Sequence, residues 1–77
     1  MMNIAEAEFA AALGVRVRTL RLQRALSQQE LALRAGLSRQ VIAGVERGLH
    51  MARPHSIRKI ARALGVRVAE LTLGEAE

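Results

Sequence analysis

The chain has no cysteine, tryptophan, tyrosine or aspartate, a single aromatic residue, Phe9, and a single proline, Pro54. Without thiols there can be no disulfide, thiolate zinc site or cysteine nucleophile, a composition that fits a reducing, cytoplasmic setting. One phenylalanine cannot supply the stacked platforms with which RNA-recognition and oligonucleotide-binding folds hold single strands. No apolar run approaches the roughly 18 residues of a membrane span, so no membrane association is expected. The start of the chain, Met1 to Leu13, contains Asn3, Glu6 and Glu8 and lacks the basic opening of a signal peptide. At 77 residues, residues 1–77 are expected to form one domain, being fewer than the usual allotment of about 100–200. Chains of about 60 residues bury only about 60% of the surface they expose when unfolded, so modest stability is expected unless a partner subunit adds burial.

What the chain does contain is helix-forming and basic. Fourteen alanines, eleven leucines and eleven arginines make up nearly half of it, and all three lose little side-chain freedom in a helix. The net charge of +5 hides a segregation. All twelve basic residues lie between Arg16 and Arg67, where only Glu30 and Glu46 oppose them, so this stretch carries +10. Glu6, Glu8, Glu70, Glu75 and Glu77 make the ends acidic. Such a basic centre suits a polyanion, although a solvated arginine-rich surface would have the same composition.

Capping residues and glycines divide the sequence into about five helices, an all-α fold expected to form a compact bundle. Asn3 followed by Glu6 reads as a capping box, and Leu13, Val17 and Leu20 then repeat with the period of one buried helical face. Gly14 interrupts that face, so the segment before it is expected to be a separate turn or a frayed extension. Ser27 with Glu30 opens a second helix from Gln28 to about Ala35, stopped by Gly36. Ser38 opens a third from Arg39 to about Glu46, with Gly48 beyond it. Only Gly36, Leu37 and Ser38 separate these two, the spacing of a helix-turn-helix over about residues 28–47. After a loop from Leu49 to about Pro54, Ile57, Ile60, Ala61 and Leu64 mark a fourth helix, and Val68 and Leu71 a short fifth that Arg67 caps poorly.

The run SQQELALRAGLSRQVIAGVERG, preceded by LGVRVRTLRLQRAL and followed by IRKIARALGVRVAEL, resembles the XRE-type helix-turn-helix domain, the family of phage repressors and Cro. The resemblance covers about residues 13–71. It implies a DNA-binding regulator in which Arg39 and Gln40, opening the third helix, touch base edges. It further implies that Gln28 binds phosphate and buttresses that helix, and that Arg21 pairs with Glu46. Packing accounts independently for several of the same residues. Ala32 is small where the third helix crosses, Gly36 permits the turn, and Ile42 and Val45 fill the junction, with Leu31, Ala35 and Leu37 completing a small core.

At about 100° per residue, Ile42, Val41 and Val45 share one side of the third helix, and Arg39, Gln40, Ala43, Gly44 and Arg47 share the other. Arginine can bond guanine with two parallel donors, glutamine can do the same for adenine, and an alanine methyl can lie on thymine. Arg39, Gln40, Ala43 and Gly44 are therefore candidate base readers. Ser27, Gln28, Arg47 and Arg53 are candidates for holding phosphates, with His55 a further possibility in the loop after Gly48. Gly44 departs from the long polar residue common at this place in the family.

His50 and His55, without cysteine or aspartate anywhere in the chain, do not make a zinc site. The three serines sit at helix starts with no base beside them, so neither catalysis nor a cofactor is expected. The leading reading is a sequence-specific double-stranded DNA-binding transcriptional regulator, a repressor, that reads the major groove with residues 39–46. A homodimer is expected because one helix reads few base pairs, and Ile4, Phe9, Leu71 and Leu73 exceed the needs of one small core. The alternative is a protein-interaction module, an antitoxin or adaptor that keeps this fold while binding a toxin or co-regulator. The basic, hydrogen-bonding face of Arg39, Gln40 and Arg47 favours DNA.

Overall fold

A computed structural model describes residues 1–74. It contains five helices: α1 (Ile4–Gln23), α2 (Gln28–Ala35), α3 (Arg39–Arg47), α4 (Pro54–Leu64) and α5 (Val68–Thr72). No strand occurs among the described residues.

Local chemistry sets most of the boundaries. Asn3 Oδ1 accepts from the Glu6 amide at 2.8 Å, and Glu6 Oε1 accepts from the Asn3 amide at 3.0 Å, satisfying two donors at the start of α1. The same reciprocal box opens α2, where Ser27 Oγ accepts from the Glu30 amide at 3.0 Å and Glu30 Oε1 from the Ser27 amide at 2.8 Å. Ser38 Oγ accepts from the Val41 amide at 3.2 Å to open α3. Pro54 occupies the first turn of α4, where its missing N–H costs no helical bond.

All five helices contribute to one core. Leu13 and Val17 of α1, Leu31 and Ala32 of α2, Ile42 and Val45 of α3, Ile57, Ile60, Ala61 and Leu64 of α4, and Leu71 of α5 are buried together. Helix α3 packs on both α1 and α2, while α4 packs on α2 and α5. One face of α3 is thereby committed to the interior and the other is left available.

Two expectations are corrected. Gly14 does not break α1, which runs unbroken through it. A Cβ on Gly14 would lie 2.6 Å from the Glu46 carbonyl oxygen and closer still to that of Val45, so this glycine permits the backbone of α1 to touch the end of α3. Its helix-propensity cost is offset by this close crossing. The apolar surplus also differs. Leu71 is fully buried and Phe9 packs against the core, leaving Ile4 and Leu73 of the original four exposed. Val15, Leu22 and Val68 join them on the surface.

Candidate nucleic-acid interface

The end of α2 and the start of α3 are joined by a tight turn. Gly36 has φ +68°, and a Cβ there would meet nothing within 4 Å, so it is the left-handed backbone that requires glycine. Leu37 N donates to the Ala32 carbonyl at 2.9 Å, closing the C-terminus of α2 and turning the chain into Ser38.

A continuous polar network links α1, the start of α2 and α3. Arg21 Nε donates to Glu46 Oε2 at 2.6 Å and Arg21 Nη2 to Glu46 Oε1 at 3.0 Å, a bidentate pair. The two side chains keep only 7% and 3% of their accessible surface. Arg21 Nη1 also donates to the Leu26 carbonyl at 2.8 Å, so the buried guanidinium ties α1 to the start of α2 as well as to α3. Its hydrogen bonds to Glu46 hold Arg21 above the ordinary arginine value, while burial acts in the opposite direction.

The network continues towards the surface. Gln28 Nε2 donates to Glu46 Oε1 at 3.1 Å, and Gln28 Oε1 accepts a long bond from Arg39 Nη1 at 3.5 Å. Arg39 is exposed, but it is linked through Gln28 and Glu46 to the buried Arg21. Gln28 retains one amide N–H for a further acceptor, because an amide nitrogen carries two donors.

On α3, Arg39, Gln40 and Arg47 are exposed, Ala43 is half-buried, and Ile42 and Val45 are buried. Ser27 and Arg53 are also exposed, and Gln28 is half-buried. Gly44 is buried, which corrects its placement on the open face. A Cβ at Gly44 would lie 3.0 Å from His50 Cε1, so the imidazole covers this stretch of helix. His55 sits in the first turn of α4, exposed, beside Pro54.

Some of the arginines bond the protein's own main chain. Arg16 Nη1 donates to the Leu71 and Thr72 carbonyls at 3.0 and 3.3 Å, and Arg24 Nε donates to the Leu64 carbonyl at 2.7 Å. These two cations satisfy carbonyls at the ends of α5 and α4, and Arg21 satisfies one in the connection between α1 and α2. Gln40, Arg47 and Arg53 form no side-chain hydrogen bond or ion pair among the described residues. Sequence spacing gives no sign of the capping roles, since the partners of Arg16 and Arg24 lie 55 and 40 residues away. The described residues contain no group of three or more histidine, cysteine, aspartate or glutamate side chains that could hold a metal ion. No helix among them is long and apolar enough to cross a membrane.

A helix-turn-helix family model matches residues 17–71. Among solved structures, the chain is 40% identical to the restriction-modification controller protein C.AhdI from Aeromonas hydrophila, with a TM-score of 0.78, covering 80% of this chain and 94% of that one. It is 36% identical to the hypothetical transcription factor NHTF from Neisseria, with a TM-score of 0.81, over 87% of this chain and 77% of that one. The clp gene regulator ClgR from C. glutamicum is 26% identical, with a TM-score of 0.77, over 84% of both chains. No curated protein matches.

Proposed function

Because the chain belongs to the XRE-type helix-turn-helix family, we propose that it is a DNA-binding transcriptional regulator, a sequence-specific repressor that binds double-stranded DNA as a homodimer. The observation that carries this reading is the division of its polar groups. The buried and capping arginines are satisfied internally, whereas the exposed Gln40 and Arg47 of α3 are left without protein partners and Arg39 is braced from below. A side chain buttressed by fixed hydrogen bonds loses less freedom on binding than one that is loose.

In this reading α3 enters the major groove. Arg39 and Gln40 contact purine edges, and Ala43 lies towards a thymine methyl. Arg47, Arg53, Ser27 and the spare Gln28 N–H hold phosphates on either side. Exposed Ile4, Val15, Leu22, Val68 and Leu73 on α1 and around α5 offer apolar surface for a two-fold partner. The similarity to C.AhdI, NHTF and ClgR, a controller protein, a transcription factor and a gene regulator, supports regulation as the purpose of binding.

Selection of bound duplexes from a random pool tests this directly. Recovered sites should be two-fold symmetric with half-sites about 34 Å apart, and log K on the best site should fall with log salt by about 0.9 per neutralised phosphate. Absence of enrichment, or a salt-independent affinity, would overturn the reading.

A further inference from the structure

Between α3 and the first turn of α4 the surface folds into a cleft of about 310 Å³. Val41 and Val45, one turn apart on α3, line it together with Met51 and Ala52 of the loop. Where this lining is buried it is apolar, since Val45 and Ala52 keep only 2% and 8% of their accessible surface and Val41 is half-buried. The volume gives room for roughly ten non-hydrogen atoms at the ~30 Å³ that a water takes up in its liquid, the low end of the range used by small-molecule sites.

The rest of the lining is polar and includes no acid. His50, Arg53 and Ser56 complete the cleft, and their side chains form no hydrogen bond or ion pair among the described residues. His50 can stand against α3 because Gly44 has no side chain: its Cε1 lies 3.0 Å from where a Gly44 Cβ would be. No acidic residue occurs between Glu46 and Glu70, so the local potential is positive. A guanidinium grips a carboxylate with two parallel donors, and a hydroxyl and an imidazole N–H can each donate one more bond. Inorganic phosphate would satisfy these donors but leave the apolar lining in water, and a plain hydrocarbon would do the reverse.

We propose that this cleft binds a small amphipathic anion, a carboxylate on a short hydrocarbon chain, and that its occupant displaces DNA. The carboxylate is held by Arg53 together with Ser56 and His50 of the same cleft, and the chain lies on Val41, Val45 and Ala52. The displacement rests on the DNA-binding reading above, in which Arg53 holds a phosphate. One guanidinium cannot grip two anions in full, and a negative charge beside it repels the duplex backbone, so ligand and duplex bind in competition. Such a ligand lifts the regulator from its site, an inducer acting within the DNA-binding domain itself.

The test titrates the methyl-labelled wild-type protein with acetate, butyrate, hexanoate and hexylammonium, following the Val41, Val45 and Ala52 resonances. Each buried methylene should tighten binding by about three- to fourfold, so hexanoate should bind about tenfold more tightly than butyrate, and hexylammonium should not bind. Hexanoate no tighter than acetate, hexylammonium equal to hexanoate, or methyl signals that stay in place overturn the site. Ser56→Leu, which fills the cleft and spares Arg53, should abolish hexanoate binding and keep the wild-type affinity for duplex, with circular dichroism establishing that it is folded. A folded variant that still binds hexanoate as the wild type does places binding elsewhere, and the proposal fails. In competition, hexanoate at about ten times its Kd should weaken binding to the selected duplex about tenfold relative to acetate at the same concentration. Equal affinities in the two salts refute the displacement. A wild type that selects no duplex defeats the DNA-binding reading, and the displacement with it, an outcome distinct from the ligand titrations.

Discussion

At position 14 a missing side chain decides how two helices meet. Read locally, glycine within a helical pattern marks weakness, because propensity counts only backbone freedom. In the fold it is a contact, with the Val45 and Glu46 carbonyls occupying the space a methyl would need. Backbone atoms cannot turn aside as a flexible side chain can. Gly14→Ala should therefore destabilise the domain by about 1–3 kcal/mol or more, against the gain that helix propensity alone would give. Urea denaturation followed by circular dichroism decides between the two signs. Glu46 presents the opposite case, a charge that cannot be removed alone. Glu46→Ala leaves the buried Arg21 without its bidentate partner and removes the bridge to Gln28. The expected loss is about 3–5 kcal/mol, a large part of a small domain's stability. Replacing both charges, as Arg21→Met with Glu46→Leu, should recover much of the loss, because no unpaired charge is then buried. The urea midpoints of the two variants check both statements.

Among the elements, the parts most legible from sequence are those whose cause is local. The start of α2 follows from Ser27 and Glu30, the start of α3 from Ser38, and the turn between them from Gly36, all within a few residues of the backbone they act on. Helix periodicity likewise separates Ile42 and Val45 from Gln40 and Arg47, because that division depends only on 3.6 residues per turn, whereas Arg39, three residues before Ile42, is exposed because it opens the helix. The covering of Gly44 was not legible, since it depends on how the loop returns from Gly48. Nor were the Arg16 and Arg24 caps, which join residues far apart in the chain. The α2 capping box also has a pH consequence. The Ser27 backbone N–H, and then its hydroxyl, hold the Glu30 carboxyl below its ordinary range by favouring the ionised form. Stability from this cap is therefore complete above the ordinary glutamate range and lost as the pH falls through the lowered folded value. Glutamine can still complete the box but cannot titrate. Glu30→Gln should consequently flatten the acid side of the curve of urea midpoint against pH, and an unchanged acid slope would exclude Glu30 as a contributor.

For the molecule as a whole, charge and architecture have to be read together. The +10 stretch suggests a polyanion partner, yet Arg16, Arg21 and Arg24 within it bond the protein's own carbonyls. What distinguishes the proposed interface is the availability of its polar groups. Arg39 and Gln40 open α3, while Arg47 closes it on the same side. The first two should therefore choose sequence and the third should hold the backbone. The most direct measurement is the sequence preference of folded Arg39→Ala, Gln40→Ala and Arg47→Ala variants, by selection from random duplexes with affinities across a salt series. Arg39→Ala and Gln40→Ala should each cost about 1–3 kcal/mol on the best site and flatten discrimination at one base pair, whereas Arg47→Ala should weaken all duplexes alike and lower the salt slope by about one contact. Folded Arg39→Ala and Gln40→Ala variants that both keep the parent's full preference would contradict the assignment of α3 as the reading helix.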